Sequence, residues 1–172
     1  MRHIGKSERM EVLIALGSNI ERERNMAAAI DRLRAHPAID LLAVSPIYTT
    51  AAIGHDGAES GQPIFANAAA RVATDLAAAE LRGELRAMEA ALGRVRTADK
   101  FAPRPIDLDI VFYGAEMLEI DGHHIPDRDV VRFAHVALPA ADIAGDWVHP
   151  ETGQTLATIA ATMRTEELEK SQ

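Results

Sequence analysis

The chain has 172 residues, a formal charge of −8, 48% hydrophobic residues and no cysteine. That length suits one domain with its own core, and the missing thiols exclude a disulfide framework and cysteine chemistry. The acid excess argues against broad binding to nucleic acid or to an anionic membrane.

Residues 1–10 (MRHIGKSERM) read as a loose leader without the apolar core of a secretion signal, and Met10 is an alternative start. No stretch is long and apolar enough to span a bilayer, so a cytoplasmic enzyme is expected, with 11–164 as its single domain. Residues 11–16 (EVLIAL) predict a short buried strand. Gly17-Ser18-Asn19 is a turn suited to capping the next helix. That helix is predicted over 21–36, with Met26, Ile30 and Leu33 at helical spacing and Pro37 ending it. A second strand follows over 39–49, where Pro46 marks an edge or a bulge. A long glycine-rich loop covers 50–63, and a third strand covers 64–74. Thr74-Asp75 is expected to cap a helix of about 77–92, whose Leu81, Leu85, Met88 and Leu92 recur at spacings of three and four. A fourth strand is predicted over 106–113. The order β-α-β-β-α-β is the ferredoxin-like split unit, an α+β fold with an antiparallel sheet and both helices on one face. Beyond it, 116–126 reads as a hairpin turning at Asp121-Gly122, 127–145 as a short helix with loops, 156–163 as a last helix and 165–172 as a frayed tail.

Residues 93–113, GRVRTADKFAPRPIDLDIVFY, carry the densest chemistry. Arg94, Arg96, Lys100 and Arg104 form a cationic loop before a strand bearing Asp107 and Asp109. Alternation places Ile106, Leu108, Ile110 and Phe112 on one face, and Asp107, Asp109, Val111 and Tyr113 on the other. Guanidinium forks suit phosphate oxygens, and a carboxylate pair beside phosphates suits Mg²⁺. The alternative is a solvated strand face after a helix C-terminus that favours cations. The loops 50–63 and 93–105 are both long enough to cover the acidic face. The adjacent His123 and His124 would point to opposite faces of a strand, a poor arrangement for sharing a metal. His3, His36, His55 and His149 read as solvent or loop residues.

Four stretches, ALGSN (15–19), SPIYTT (45–50), FANAAARV (65–72) and LGRVRTADKFAPRPIDLDIVFYG (92–114), resemble the 6-hydroxymethyl-7,8-dihydropterin pyrophosphokinase family. The resemblance implies a ferredoxin-like fold and transfer of diphosphate from ATP to a pterin alcohol in folate synthesis, releasing AMP. It implies Asp107 and Asp109 as ligands of Mg²⁺, expected as two ions, and Arg94 and Arg104 as catalytic-loop arginines. Glu89, Arg96 and Ile110 match ATP-contacting positions. Thr50, Ile53, Phe65 and Asn67 match the pterin site, and Phe101 falls where a tryptophan often closes over the pterin. Asn67 and Phe65 have plain alternatives as a strand hydrogen bond and a core aromatic. ATP and a reduced pterin are the expected partners, with no nucleic acid or membrane, and a monomer is favoured.

Departures gather after the hairpin. The family commonly has Pro-His there; here Pro126 is followed by Asp127 and Arg128. An acid beside phosphates repels them unless a cation compensates. His124 stands where a smaller hydrogen-bonding residue of the ATP site is common, and Arg132 is one position off a later ATP-site arginine. Phe133 and His135 compete for an aromatic position near the pterin, and Ala51-Ala52 replace two prolines of the pterin loop. A relative that binds pterin or nucleotide with weak or redirected transfer, serving another pterin cofactor, is therefore the second reading. A ferredoxin-like RNA-binding module is a third, disfavoured by the acidity.

Overall fold

A computed structural model of the chain describes residues 9–50, 64–99 and 102–170. Ile53, Lys100, Phe101 and most of the 50–63 loop lie outside the described residues.

Strand β1 (Met10–Ser18) is central, flanked by β4 (Phe65–Thr74) and β5 (Asp107–Tyr113), both antiparallel to it. The sheet order is β2-β4-β1-β5, where β2 is Ile39–Val44 and the short β3 (Tyr48–Thr50) also pairs with β4. This is the predicted ferredoxin-like antiparallel sheet. A central strand is covered on both faces, which is why EVLIAL is almost continuously apolar. Val12, Ile14 and Leu16 point to one face, where they pack with Met26, Ala29 and Leu33 of α1 (Arg22–Ala35) and Leu81, Leu85 and Met88 of α2 (Ala78–Ala91). The alanines of β4, Ala66, Ala68 and Ala70, share this face, and their small side chains let the helices sit close. Leu13 points to the opposite face and packs beneath α3 (Ala134–Ala144) and α4 (Leu156–Lys170).

Four local expectations are corrected. The predicted 39–49 strand breaks at Ser45-Pro46-Ile47, because Pro46 has no N–H to give the ladder. Ser45 bridges the gap, its N donating to Ala69 O at 2.9 Å and its Oγ accepting from Ala69 N at 2.9 Å. Thr74-Asp75 does not cap α2. The N-cap is Ala77, whose N–H donates to Glu80 Oε2 at 3.0 Å, while Thr74 Oγ1 takes the Leu76 N–H just before it. Asn19 does not cap α1, which begins after Glu21 in a left-handed conformation. Helix α4 continues past the predicted 156–163 span to Lys170, through a segment rich in helix-forming Glu, Leu and Lys.

The face assignment along β5 holds as far as Val111 and fails at Phe112 and Tyr113. Leu13 of β1 pairs with Phe112 and Ile14 with Ile110, so Val111 is an extra residue, a β-bulge. The bulge reverses the alternation. Phe112 joins Val111 in the core under α3 and α4, and Tyr113 turns to the α1–α2 side, where its hydroxyl donates to Leu76 O at 2.7 Å.

β5 is an edge strand, and outward backbone groups along an exposed edge need partners. Leu108 N donates to Glu89 Oε2 at 2.9 Å, Ile110 O accepts from His123 Nε2 at 2.9 Å, and Val111 O accepts from Asp127 N at 2.8 Å. The predicted hairpin, β6 (Leu118–Ile120) with β7 (His123–Ile125), thus lies beside this edge. No helix among the described residues is long and apolar enough to cross a membrane.

Candidate active site

One row across the sheet organises the site. Asp107 of β5 pairs with Gly17 of β1, Gly17 with Asn67 of β4, and Asn67 with Tyr48 of β3. Directly paired residues point to the same face, so Asp107, Asn67 and Tyr48 rise from the sheet together. Asp109 and Phe65 follow two residues along their strands, and Thr50 pairs with Phe65. Gly17 leaves a gap between the acids and Asn67; a Cβ there would come within 3.6 Å of Asn67 Oδ1. Two strand spacings, roughly 10 Å, separate the acidic strand from Asn67. Asn67 Nδ2 donates to Thr50 Oγ1 at 3.0 Å, which holds the amide across β3 and β4. The predicted metal pair and three of the predicted pterin residues are therefore brought together on one surface.

The cationic loop folds back on this row. Arg104 Nη1 lies 2.9 Å from Asp107 Oδ2, and Arg96 Nη2 lies 3.2 Å from Asp107 Oδ1. The Arg104 guanidinium also stands 6.0 Å from the centre of the Phe65 ring. Asn19, 3% exposed, fixes Arg104 by two bonds: its Oδ1 accepts from Arg104 N at 2.7 Å, and its own N donates to Arg104 O at 3.1 Å. This is the work of the GSN turn that the capping expectation missed. Arg94 Nε is buried and has no hydrogen-bond partner among the described residues, while Arg94 Nη1 donates to Val95 O. Gly93, which starts the loop, has φ +93°, a conformation that side chains resist.

Glu89 lies beneath the loop at 1% exposure. It accepts from Arg86 and Arg96, each at 2.9 Å, as well as from Leu108 N. Its carboxylate is thus enclosed by protein donors, and it positions Arg96. Burial pushes its pKa up to about 8, helped by the hydrogen bond and charge of Asp107. Burial raises Asp107 as well, but the Glu89 hydrogen bond and the Arg104 charge outweigh it and hold that carboxyl below its ordinary value. Asp109 is pushed up to about 7 by burial and then by the charge of Asp107, against the pull of Arg86, which approaches to 3.8 Å.

The remaining predicted residues are spread more widely. Ile110 is 1% exposed with its side chain among α1 and α2, and its carbonyl is taken by His123. His124 faces Glu151 at 2.5 Å and Glu119 at 3.7 Å. Arg132 is exposed and lies over the Phe133 ring at 5.4 Å; Phe133 stacks on His135 at 5.3 Å, at the start of α3. His149, read from sequence as a loop residue, is 3% exposed; its Nδ1 accepts from Glu151 N and Thr152 N. Sequence reasoning missed Asn19 and Arg86, which fix Arg104 and Glu89, and the bond of His123 to the β5 edge. Arg86 was legible as the residue one helical turn before Glu89. Nothing local pointed to His123, because its place depends on how the hairpin meets β5.

Among the described residues no group of three or more His, Cys, Asp or Glu side chains gathers to hold a metal. Mg²⁺ does not need such a cage, since it takes one or two carboxylates and completes its shell with substrate phosphates and water. The hard-oxygen pair Asp107 and Asp109, crowded enough to raise Asp109, fits that ion.

The family model for 7,8-dihydro-6-hydroxymethylpterin-pyrophosphokinase matches residues 13–145. The chain is 35% identical over 160 residues to the 2-amino-4-hydroxy-6-hydroxymethyldihydropteridine pyrophosphokinase of Pseudomonas aeruginosa, covering 92% of this chain and 95% of the relative. It is 38% identical over 148 residues to the folic acid synthesis protein fol1 of Pneumocystis carinii, covering 86% of this chain but only 19% of that longer protein. A crystal structure of Plasmodium falciparum HPPK-DHPS with pteroate shares the fold, with a TM-score of 0.70 at 10% identity over 98% of this chain and 45% of that one. The chain belongs to the 7,8-dihydro-6-hydroxymethylpterin-pyrophosphokinase family.

Proposed function

We propose that the protein transfers diphosphate from ATP to the hydroxymethyl group of 6-hydroxymethyl-7,8-dihydropterin and releases AMP, a step of folate biosynthesis. The observation that carries this is the shared row: Asp107 and Asn67 stand on one sheet face with a single glycine strand position between them. That arrangement supports a triphosphate site at the acids beside a heterocycle site at Asn67. The pterin is read by Asn67, held by Thr50, and stacks on Phe65; Ile53 and Phe101, outside the described residues, are assigned to it on the family resemblance alone. Asp107 and Asp109 would hold Mg²⁺, proposed as two ions, and the metal would supply charge neutralisation along the phosphates. Arg94, Arg96 and Arg104 take phosphate oxygens in planar forks. The pterin oxygen attacks the β-phosphorus in line, the bond from that phosphorus to the α-phosphate oxygen breaks, and AMP departs. Positioning and charge suffice for such chemistry, so no strong base is required. Arg96 and Arg104 already grip Asp107, so they turn from carboxylate to phosphate as the nucleotide enters.

We further propose that residues 11–164 act as one cytoplasmic, monomeric unit. AMP release from ATP, Mg²⁺ and the hydroxymethyl pterin, measured with purified protein, tests the reaction. Bound pterin without AMP release would favour the second reading, a binding relative with redirected transfer.

A further inference from the structure

We propose that Tyr48 is a positioning residue for the pterin: tied to Asp142 of α3, it holds the short strand β3 in place, so that Thr50 sets the Asn67 amide. The inference rests on the pyrophosphokinase reading above and adds a residue to which that reading gives no role.

The site row and α3 share one face of the sheet. Leu13, beneath α3, and Gly17, in the row, lie an even number of residues apart on β1 and so face the same way. Tyr48 pairs with Asn67 and rises on that face, where its hydroxyl donates to Asp142 Oδ2. Asp142 stands near the C-terminal end of α3, and that end is itself anchored to the sheet. The next residue, Ile143, accepts through its carbonyl from Arg71 Nη1 of β4 at 3.2 Å. Arg71 in turn is paired with Glu11 of β1 at 2.9 Å and lies 5.1 Å from the centre of the Trp147 ring. Tyr48 therefore grips a helix end that is already fixed.

Strand β3 needs such an anchor. It is three residues long, and among the described residues its ladder is to β4 alone. So short an edge strand owes its place to side-chain contacts as much as to its ladder. Tyr48 opens β3 and Thr50 ends it, both on the site face. Thr50 Oγ1 accepts from Asn67 Nδ2 at 3.0 Å. An amide has donors on one end and an acceptor on the other, so this bond decides which end of Asn67 faces the gap at Gly17. It is Oδ1, which a Cβ on Gly17 would approach to 3.6 Å. A heterocycle edge with its own donors and acceptors distinguishes the two orientations. Loosening β3 thus blurs pterin recognition, while the acids, roughly 10 Å away across two strand spacings, stay as they are.

The test measures KM for the pterin and for ATP by AMP release, and pterin affinity by calorimetry on protein loaded with Mg²⁺ and a non-hydrolysable ATP analogue. Wild type is compared with Tyr48→Phe, Asp142→Ala, Asp142→Asn and the double variant Tyr48→Phe/Asp142→Ala, each checked for folding by thermal melting. Tyr48→Phe removes only the hydroxyl. It is expected to raise the KM and Kd for pterin about fivefold, the scale of one hydrogen bond, and to leave KM for ATP unchanged. Asp142→Ala should match it, and the double variant should lose no more than either single one. Asp142→Asn keeps an acceptor oxygen and should recover most of the affinity. A contribution to stability alone would lower the melting temperature and leave the ratio of the two KM values as in wild type. Wild-type pterin affinity in Tyr48→Phe, equal losses for pterin and ATP, or losses that multiply in the double variant overturn the proposal. If Tyr48→Phe fails to fold, equal pterin affinity in Asp142→Ala and Asp142→Asn overturns it. Wild type that binds the pterin but releases no AMP defeats the reaction reading instead, and the titration still decides the role of Tyr48.

Discussion

The two ends of β5 obey opposite rules. From Asp107 to Ile110 the strand alternates, and its outward face carries two carboxylates, of which burial and the charge of Asp107 make Asp109 costly to ionise. From Val111 to Tyr113 every side chain is buried, at 1%, 1% and 8% exposure. The bulge at Val111 divides them. It swings Phe112 into the core, edge-on to Trp147 at 6.2 Å and to His149 at 5.6 Å, and it presents the carbonyl that anchors Asp127. One end stores stability and the other spends it on a site. Asp107 and Asp109 repeat the contrast on a smaller scale: two residues apart on one face, they are displaced in opposite directions because Arg104 and Glu89 serve Asp107.

Substitutions at the two ends should therefore fail differently. Phe112→Ala opens a cavity in a packed core and should cost about 3–5 kcal/mol of stability. Thermal melting should show the loss, with KM for ATP unchanged in the protein that remains folded. Asp109→Asn should keep the fold and lower kcat by about 10²–10³-fold, the scale of one lost transition-state charge contact. Steady-state AMP release and a melting curve on the same preparation check both halves of that statement. Asn19→Ala frees the Arg104 backbone on both sides. It should reduce kcat about tenfold and stability by roughly 1–2 kcal/mol, between the two extremes.

The smallest effect is in pH. The folded-state pKa of Asp109 lies near 7 and that of Glu89 near 8, both above the ordinary carboxylate value. The stability these groups contribute is fully present below the unfolded pKa of about 4 and is lost as pH rises through 7 and 8. Metal-free protein should melt progressively lower across that window. Asp109→Asn should flatten the first part and raise the melting temperature at pH 8 by a few degrees, on the order of 2–4 °C per kcal/mol. Mg²⁺ binding requires the ionised carboxylates, so Mg²⁺ should give the wild type a similar gain at pH 8.

The sequence made the succession of elements and the acidic face legible, because both rest on local periodicity and on the cation–acid juxtaposition of 93–113. The bulge was hidden: DLDIVFY reads as one continuous strand, and only pairing with β1 reveals the extra residue. Glu89, Asn19 and His123 were obscured for a related reason. Each is fixed by a backbone group distant in the chain, Leu108 N, Arg104 N and Ile110 O respectively. The resemblance located Glu89 as an ATP-contacting position, and the structure adds the protein donors that fix it, Arg86, Arg96 and Leu108 N. Ile110 was assigned to the nucleotide by the same resemblance; its side chain lies in the core and its backbone on the edge of β5.

The central claim is that Asp107 and Asp109 serve transfer while the Asn67 side of the row serves the pterin. The most direct measurement follows AMP release and pterin binding together in wild type and Asp109→Asn. The account predicts Mg²⁺-dependent AMP release by the wild type, and loss of release with pterin affinity retained in the variant. AMP release at the wild-type rate from folded Asp109→Asn would contradict it.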